Sequence, residues 1–341
     1  LNQEFSSIEK APRPAESLLA RRDDERDPHD ERWAEALIAD AEPAQPAKPG
    51  AKPEAKEPAK EVQQVADFTG DSLALSQQAA RTDARIILFA GVHFMAETAK
   101  ILSPDKKVLL PEPAAGCSLA DSCRAEDFAE FLKSYPGHTV VSYVNTSVGV
   151  KALTDICCTS SNAVDVIRSL PSDAKIVFAP DRNLGNYIRG VTGRDMVVWD
   201  GACGVHEEFS LEKILELKKK YPGAKVLAHP ECKKTVLLAA DYIGSTAALL
   251  RFASTDPADT FIVVTEAGIL YQMRKENPGK TFIPAPPEDA SCGCNNCAFM
   301  KMVTLDKIYR TLLDESPEVV LDEEIRRKAE GSIRRMLEIG K

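Results

Sequence analysis

FTGDSLAL (residues 68–75), CCTSSNAV (157–164) and YIGSTAAL (242–249) are three versions of one local pattern. In each version, small hydroxyl-bearing residues stand just before an apolar run that has the spacing of a helix. Segments that resemble one another at similar separations are typical of a structural unit that the chain repeats. The sequence therefore predicts one unit that occurs three times.

The same register extends beyond these segments. Eighteen residues after the hydroxyl residue of each version (Ser72, Ser161 and Thr246) the chain reaches an apolar strand, and a cysteine follows in each unit. The strand positions are Ala90, Ala179 and Val264, and the cysteines are Cys117, Cys203 and Cys297. Tyr143 stands 18 residues before Ser161 and His229 stands 17 residues before Thr246, both at the ends of predicted strands. Each unit is therefore expected to bring similar groups to a similar place.

Short apolar runs alternate with amphipathic stretches from Val62 onward. Continuous apolar strands separated by helices indicate parallel sheets that are covered on both faces. The predicted strands are RIILFA (85–90), KVLLP (107–111), TVVSYV (139–144), KIVFAP (175–180), MVVW (196–199), KVLAHP (225–230) and FIVVTE (261–266). We predict an α/β fold of three similar α/β/α parallel-sheet domains about a pseudo-threefold axis, with strand-end loops meeting at a central site.

The predicted organisation has five segments. The first is rich in proline and ends in PAQPAKPGAKPEAKEPAK (43–60), which cannot bury enough apolar surface to fold by itself. The segments are a disordered or linker stretch at 1–61, the three α/β repeats at 62–134, 135–220 and 221–310, and a C-terminal helical segment at 311–341.

Composition restricts the class of partner. The net charge of −9, with basic and acidic residues interleaved, argues against a nucleic-acid surface, and no apolar run reaches the length of a membrane helix. Nine cysteines, an odd number that includes close pairs, fit a reducing compartment and metal binding better than a disulfide scaffold. Because the first residue is Leu1 and not Met, targeting information cannot be read from the chain.

Three thiols that converge from three units could hold zinc or an iron-sulfur cluster. Structural zinc usually takes close pairs of ligands, whereas Cys117 and Cys203 stand alone in glycine-containing loops, so a cluster with three protein ligands and one open iron fits better. Burial as small apolar residues is the alternative for any one cysteine, and the repeat register argues against it.

Cys292 and Cys294 are interpreted as a redox-active or spare pair. The cysteines predicted to be structural are Cys123, Cys157, Cys158 and Cys232.

Polar groups suited to an anionic substrate stand at helix starts and strand ends. Helix starts offer free N–H groups to phosphate or carboxylate, and plain N-capping is the alternative for each. The helix starts are Ser72, Ser160 with Ser161, and Ser245 with Thr246. Strand ends are common places for acid-base groups. The strand-end groups are Tyr143 and Asn145 in SYVN, and His229 and Glu231 in AHPEC. His206 is assigned either to a cluster sulfide or to capping the Cys203 loop.

Eight motifs carry a resemblance to a known family. They are DFTGDSLAL, GVHFMAETAK, PEPAAGCSLADSC, CTSSNAV, GACGVHEEF, AHPEC, YIGSTAAL and CxxCAFMKM. In this order they resemble quinolinate synthase, above all its cyanobacterial and plastid-type members. The resemblance begins near Val62 and continues to the C-terminus.

The resemblance implies an activity, a cofactor and the roles of particular residues. The family condenses iminoaspartate with dihydroxyacetone phosphate to quinolinate, phosphate and water in NAD biosynthesis, with the open iron of a 4Fe-4S cluster as Lewis acid. The implied cluster ligands are Cys117, Cys203 and Cys297. The implied catalytic residues are Glu231, Tyr143 and His229. The implied substrate-binding residues are Ser72, Tyr143, Asn145, Ser160, His229, Glu231, Ser245 and Thr246.

One departure from the family concerns the N-terminal region. The family opens its first domain with an apolar strand that ends in Ala-His-Tyr-Tyr, whereas residues 54–57 of this chain are Glu, Ala, Lys and Glu. Ala55 also stands where the other units have Tyr143 and His229, so a strand and two catalytic side chains are missing from the expected place. Ala298 replaces a proline of the family, which is a milder change.

Two interpretations of this departure stay open. The N-terminus is incomplete or mispredicted, which the abrupt change in composition favours, or the chain is a truncated or catalytically silent cluster-binding member of the same fold. The implied partners are the two substrates and the iron-sulfur assembly machinery, and a partnership with L-aspartate oxidase is an open question. No nucleic-acid or membrane partner is expected. A bacterial source implies the cytoplasm, and a photosynthetic eukaryote implies the plastid.

Overall fold

A computed structural model describes residues 60–288 and 296–339 of the chain. Almost all of the predicted linker, positions 54–57 and the pair Cys292 and Cys294 lie outside the described residues. The description below concerns the unit that comprises Glu57–Lys341.

The first sheet has two described strands, which run parallel. They are β1 (Ile86–Leu88) and β2 (Lys107–Leu109). The far edge of β2 is covered by a later segment, because Leu109 forms an antiparallel bridge with Glu318 and the Val319 N–H donates to the Val108 carbonyl over 2.8 Å. The accompanying helices are α1 (Lys60–Val65), α2 (Ser72–Arg81), α3 (His93–Leu102), α4 (Ser118–Asp121) and α5 (Ala125–Leu132).

The second sheet has four parallel strands in the order β4-β3-β5-β6. They are β3 (Thr139–Tyr143), β4 (Ile156–Cys158), β5 (Ile176–Ala179) and β6 (Val197–Val198). The accompanying helices are α6 (Val148–Ala152), α7 (Ala163–Ser169), α8 (Arg182–Thr192), α9 (Gly204–Glu207) and α10 (Leu211–Lys220).

The third sheet repeats this topology in the order β8-β7-β9-β10, again with every pair parallel. Its strands are β7 (Lys225–Ala228), β8 (Tyr242–Ile243), β9 (Thr260–Val264) and β10 (Thr281–Pro284). The helices that follow are α11 (Lys234–Leu237), α12 (Thr246–Thr255), α13 (Ile269–Glu276), α14 (Leu305–Asp314) and α15 (Glu323–Ile339). A 3-10 turn spans Met300–Met302. Among the described residues, no helix combines the length and the apolar character needed to cross a bilayer.

The α/β prediction is confirmed, and all seven predicted strands are present. The sequence analysis missed β4, β8 and β10. The first two are only 3 and 2 residues long and open the hydroxyl-rich motifs, so they show no apolar run of their own. The third, TFIP, is partly exposed and ends in proline, which weakens its strand signal. The domain boundaries and the pseudo-threefold arrangement stay predictions.

The first sheet corresponds to only half of each of the other two. By the repeat register, β1 and β2 match the third and fourth strands of the second and third sheets. In the described part of the chain, no strand stands where the first and second strands of this unit would be. The residues of β1 are accordingly half-exposed, whereas all four residues of the equivalent β5 are buried.

The C-terminal helix α15 is part of the fold. Ala329, Ile333 and Met336 on this helix are fully buried in the core that includes β3, β4 and β5. Its Arg326 donates a hydrogen bond of 3.1 Å to the carbonyl of Ile101 at the end of α3. The helix therefore joins the first and second sheet units.

We expect Ile333→Ala to lower the free energy of unfolding by about 2–5 kcal/mol, because it removes buried methyl groups and leaves a cavity. Urea-induced unfolding measures this effect. Leu313→Ala is the matched control, since Leu313 is 68% exposed and its truncation should change stability by less than about 0.5 kcal/mol. Equal effects of the two changes would contradict the packing of α15.

Candidate active site

The carboxyl ends of the second and third sheets meet. Tyr143 is the last residue of β3, and Glu231 lies three residues after β7. The Tyr143 hydroxyl donates a 2.6 Å hydrogen bond to Glu231 Oε1, and both side chains are buried. Parallel strands bind ligands at their carboxyl ends, so this contact marks the candidate site.

Ser160 and His229 extend the same network. His229 directly follows β7, and its Nε2 lies 3.1 Å from the Ser160 hydroxyl in the loop after β4. Ser160 also interacts with the Tyr143 hydroxyl. Four residues predicted from sequence therefore form one group at the boundary of two sheets, in which Tyr143, His229 and Glu231 are buried and Ser160 is half-buried.

His206 is a further member that the sequence analysis had linked only to the cluster or its loop. Its Nδ1 lies 3.2 Å from Glu231 Oε2 without forming a hydrogen bond of full geometry. Its Nε2 lies 3.1 Å from the Thr265 hydroxyl, and its ring stacks on His229 with centroids 4.8 Å apart. Its position three residues after Cys203, on the short helix α9, was the only available signal.

The electrostatics of the network favour an ionised Glu231 beside a neutral His229. Burial acts to raise the pKa of Glu231, but His206, His229 and the Tyr143 hydrogen bond outweigh it and hold the pKa at about 2. Burial lowers the pKa of His229 to about 4. Burial, together with the charge of Glu231, raises the pKa of Tyr143 well above its usual value, so Tyr143 stays a hydrogen-bond donor.

Asp181 is a second buried acid that the sequence analysis missed, although it directly follows the predicted strand KIVFAP. Its Oδ1 accepts the Leu184 N–H over 2.7 Å and its Oδ2 accepts the Cys203 N–H over 3.2 Å. Burial, assisted by the charge of Glu231, raises the pKa of Asp181 to about 7. The group thus connects the end of β5 to a predicted cluster ligand.

Cys117, Cys203 and Cys297 share one local arrangement. Each stands just before a helical turn, and the N–H groups two and three residues later act to lower the pKa of its thiol. For Cys117 and Cys203, no cap hydrogen bond of full geometry forms to the sulfur. All three cysteines are half-buried. The four cysteines predicted to be structural are fully buried instead: Cys123, Cys157, Cys158 and Cys232.

The three cysteine loops lie close to one another and to Glu231. The Cys117 thiol interacts electrostatically with Glu231 and Cys297, and the Cys203 thiol interacts with Glu231 and Cys117. The Gly204 N–H donates to the Ser118 hydroxyl over 3.1 Å, which joins the first two loops directly. Burial raises the pKa of the Cys117 thiol to about 12, so a bound cation would be needed to hold it as a thiolate.

The other predicted substrate residues lie outside the network of described hydrogen bonds. The Ser245 hydroxyl caps α12 by accepting the Ala248 N–H over 3.3 Å, and Thr246 is the first residue of that helix. Asp71, and not Ser72, caps α2.

Asp71 contacts the network, and Asn145 has an unpaired side-chain oxygen. Asp71 Oδ2 accepts a 2.5 Å hydrogen bond from Ser161 and interacts electrostatically with His229. The Asn145 side-chain oxygen is buried and has no hydrogen-bond partner among the described residues. An unpaired buried acceptor of this kind is available to a ligand.

Sequence similarity to known proteins shows the family to which the chain belongs. The family model NadA, described as quinolinate synthetase A protein, matches residues 58–338. The chain belongs to the quinolinate synthase family. The quinolinate synthase of Thermosynechococcus vestitus is 60% identical over 278 residues, which cover 82% of this chain and 87% of that protein. The quinolinate synthase of Microcystis aeruginosa is 57% identical over 279 residues, with 82% and 87% covered.

These similarities confirm the resemblance read from the eight motifs. They support the enzymatic function of quinolinate synthase and do not favour a catalytically silent member. The quinolinate synthase match begins at residue 58, after the positions 54–57 at which the chain departs from the family.

We expect the stability difference between the native chain and a His229→Gln variant to depend on pH. The His229 pKa is about 4 in the folded protein and near 6.5 in the unfolded one, so the unfolded chain binds the extra proton between these values. The stabilisation is present above pH 6.5 and is lost as pH falls to 4, by about 3 kcal/mol in total. Asp181 titrates in the same range in both proteins, and its contribution cancels in the difference.

Urea unfolding of both proteins at pH 7 and pH 4 measures this difference. A difference that stays the same at the two pH values would contradict a buried, neutral His229.

Proposed function

We propose that this chain condenses iminoaspartate with dihydroxyacetone phosphate to form quinolinate, phosphate and water, at the group formed by Tyr143, Ser160, His229 and Glu231. The observation that carries the proposal is the buried, ionised carboxylate of Glu231, which is held by a hydroxyl donor from another sheet. A buried carboxylate with a fixed donor is suited to general acid-base chemistry.

Cys117, Cys203 and Cys297 would hold a 4Fe-4S cluster beside this group. The fit rests on three half-buried thiols that share one arrangement and lie near one another. When bound, such a cluster supplies an open iron that acts as a Lewis acid toward substrate oxygen or nitrogen atoms.

A single metal ion is the competing occupant. Ligand atoms of Cys203, His206 and Glu231 lie within 4.8 Å of one another. The Glu231 carboxylate is already engaged by Tyr143, whereas the thiols of Cys117 and Cys297 have no role in a mononuclear site. The donor set as a whole therefore favours the cluster.

Glu231 would move protons during condensation and dehydration. Its Oε1 is free of a proton at neutral pH because of its lowered pKa, so it can accept one from a substrate carbon. The Tyr143 hydroxyl, which donates to the same oxygen, would orient the carboxylate and donate to substrate oxygen when Glu231 is protonated. Neutral His229, with Ser160, would bind a substrate carboxylate or phosphate.

The remaining contacts with substrate are assigned by position. Asn145 offers its unpaired side-chain oxygen to the intermediate. Ser245 and Thr246 stand at the start of the ten-residue helix α12, and Ser72 stands at the start of the ten-residue helix α2. Helix starts favour anions, so these three residues would bind carboxylate or phosphate groups.

The same proposal extends to partners and compartment. The iron-sulfur assembly machinery would supply the cluster, and L-aspartate oxidase is the enzyme from which iminoaspartate would come. Because the most similar relatives named above are cyanobacterial, we propose the cytoplasm for a bacterial source and the plastid for a photosynthetic eukaryote.

We expect Glu231→Gln to retain the cluster and to lower quinolinate formation by at least about a hundredfold, because the amide cannot accept a proton. The chain is reconstituted anaerobically with iron and sulfide, and quinolinate is measured after iminoaspartate and dihydroxyacetone phosphate are added. Glu338→Gln, on the exposed side of α15, is the control and should leave the rate unchanged. Full activity in the Glu231 variant would refute its assigned role.

We expect Cys203→Ala to abolish cluster binding, because two remaining thiols cannot hold it. Iron and acid-labile sulfide per chain are the measurements. Cys123→Ala is the matched control, since the Cys123 side chain is fully buried in an apolar cluster with Phe128 and has no assigned ligand role, so both contents should stay unchanged. Iron and sulfide that survive in the Cys203 variant would remove this residue from the ligand set, and metal without sulfide in the native chain would favour the mononuclear site.

A further inference from the structure

Two buried or nearly buried acids occupy the same place in two units of the repeat. Asp181 is two residues after Ala179, and Glu266 is two residues after Val264. Ala179 and Val264 are the last residues of β5 and β9, which the repeat register had already matched. The two acids are therefore equivalent by position.

Their hydrogen bonds are also similar, because each acid accepts one N–H that lies two or three residues later and the N–H of the cysteine of its own unit. One carboxylate oxygen of Asp181 accepts the N–H of Leu184 in the first turn of α8, and the other accepts the N–H of Cys203. The second bond crosses 22 residues of chain, from the third strand of the unit to its cysteine.

Glu266 repeats this arrangement in the third unit. Its Oε2 accepts the N–H of Gly268 over 2.7 Å, and its Oε1 accepts the N–H of Cys297 over 3.2 Å. The same Oε1 lies 3.0 Å from the Lys301 ammonium group, four residues beyond the cysteine. The Glu266 side chain is 15% exposed, so this ion pair is largely shielded from water.

We propose that Asp181 and Glu266 are paired positioning residues, each of which ties the backbone of one cluster cysteine to the end of the strand that precedes it. The inference rests on the proposed cluster, and it assigns a role to two residues outside the ligand set. A carboxylate can accept two N–H groups at once, one with each oxygen, whereas a carboxamide has only one oxygen for them. Loops fixed in this way present their thiols without a further cost of ordering when the cluster binds.

The first unit has no acid at the equivalent position. The position equivalent to Asp181 and Glu266 is Val92, which offers no side-chain acceptor. The Cys117 loop is tied instead to the Cys203 loop, through the bond from the Gly204 N–H to the Ser118 hydroxyl. A change at Asp181 should therefore disturb two cysteine loops, and a change at Glu266 only one.

Iron release separates this role from a general effect on stability. Glu266→Gln, Asp181→Asn and the native chain are reconstituted, and the rate of iron loss to a chelator is recorded with the unfolding temperature of each cluster-free protein. We expect Glu266→Gln to release iron on the order of tenfold faster, because one backbone N–H loses its acceptor, while its unfolding temperature falls no further than that of the control variant Asp256→Asn. Asp181→Asn should release iron faster still.

Asp256→Asn is the matched control. Asp256 also accepts a backbone N–H, that of Ala258 over 2.9 Å, and also pairs with a lysine, Lys225, over 2.5 Å, but no described contact joins it to a cysteine loop. Its iron release should match that of the native chain.

The outcomes separate this inference from the proposed function. If Glu266→Gln loses iron to the chelator at the same rate as the native chain, this inference is overturned, whereas the proposed cluster is not. A native chain that binds no iron and sulfide would overturn the proposed function and this inference with it. If Asp181→Asn fails to fold, because this side chain is fully buried, the Glu266→Gln rate decides alone.

Discussion

The buried carboxylate of Glu231 is the constraint on which the centre of this protein depends. A negative charge that is only 3% exposed is costly unless donors and positive groups surround it. The Tyr143 hydroxyl donates to this carboxylate, and His206 and His229, which act to lower its pKa, lie beside it; the three residues come from separate segments of the chain. The second and third sheets must therefore bring their carboxyl ends together. Burial, assisted by this charge, raises the pKa of the Cys117 and Cys203 thiols, so a positive group would be needed to hold them as thiolates.

The internal repeat allowed many of the site residues to be predicted from the sequence. Because equivalent strand ends carry equivalent groups, the register alone indicated that Tyr143, His229 and the three cysteines belong to one site. The structure brings Tyr143, Ser160, His229 and Glu231 into one network, and electrostatic interactions relate the cysteines to it. The parallel sheets followed from apolar runs of four to six residues, which only buried strands require.

Other features gave no signal in the sequence. The strands β4 and β8 are too short to form an apolar run, and their pairing is decided by the neighbouring strand instead. Asp181 and Glu266 read as ordinary polar residues after a strand, because their hydrogen bonds reach cysteines 22 and 31 residues away. His206 gains its contact with Glu231 only when two sheets meet. The first unit, with two described strands and Val92 in place of an acid, is where the repeat is least complete.

The central proposal is that Cys117, Cys203 and Cys297, one from each unit, would hold one cluster beside the Glu231 network and that this cluster would supply an iron to the substrate. The most direct test is the Mössbauer spectrum of the anaerobically reconstituted chain, recorded with and without quinolinate. The account predicts a 4Fe-4S spectrum in which one iron site changes when quinolinate binds. A spectrum that quinolinate leaves unaltered, or iron bound without sulfide, would contradict it.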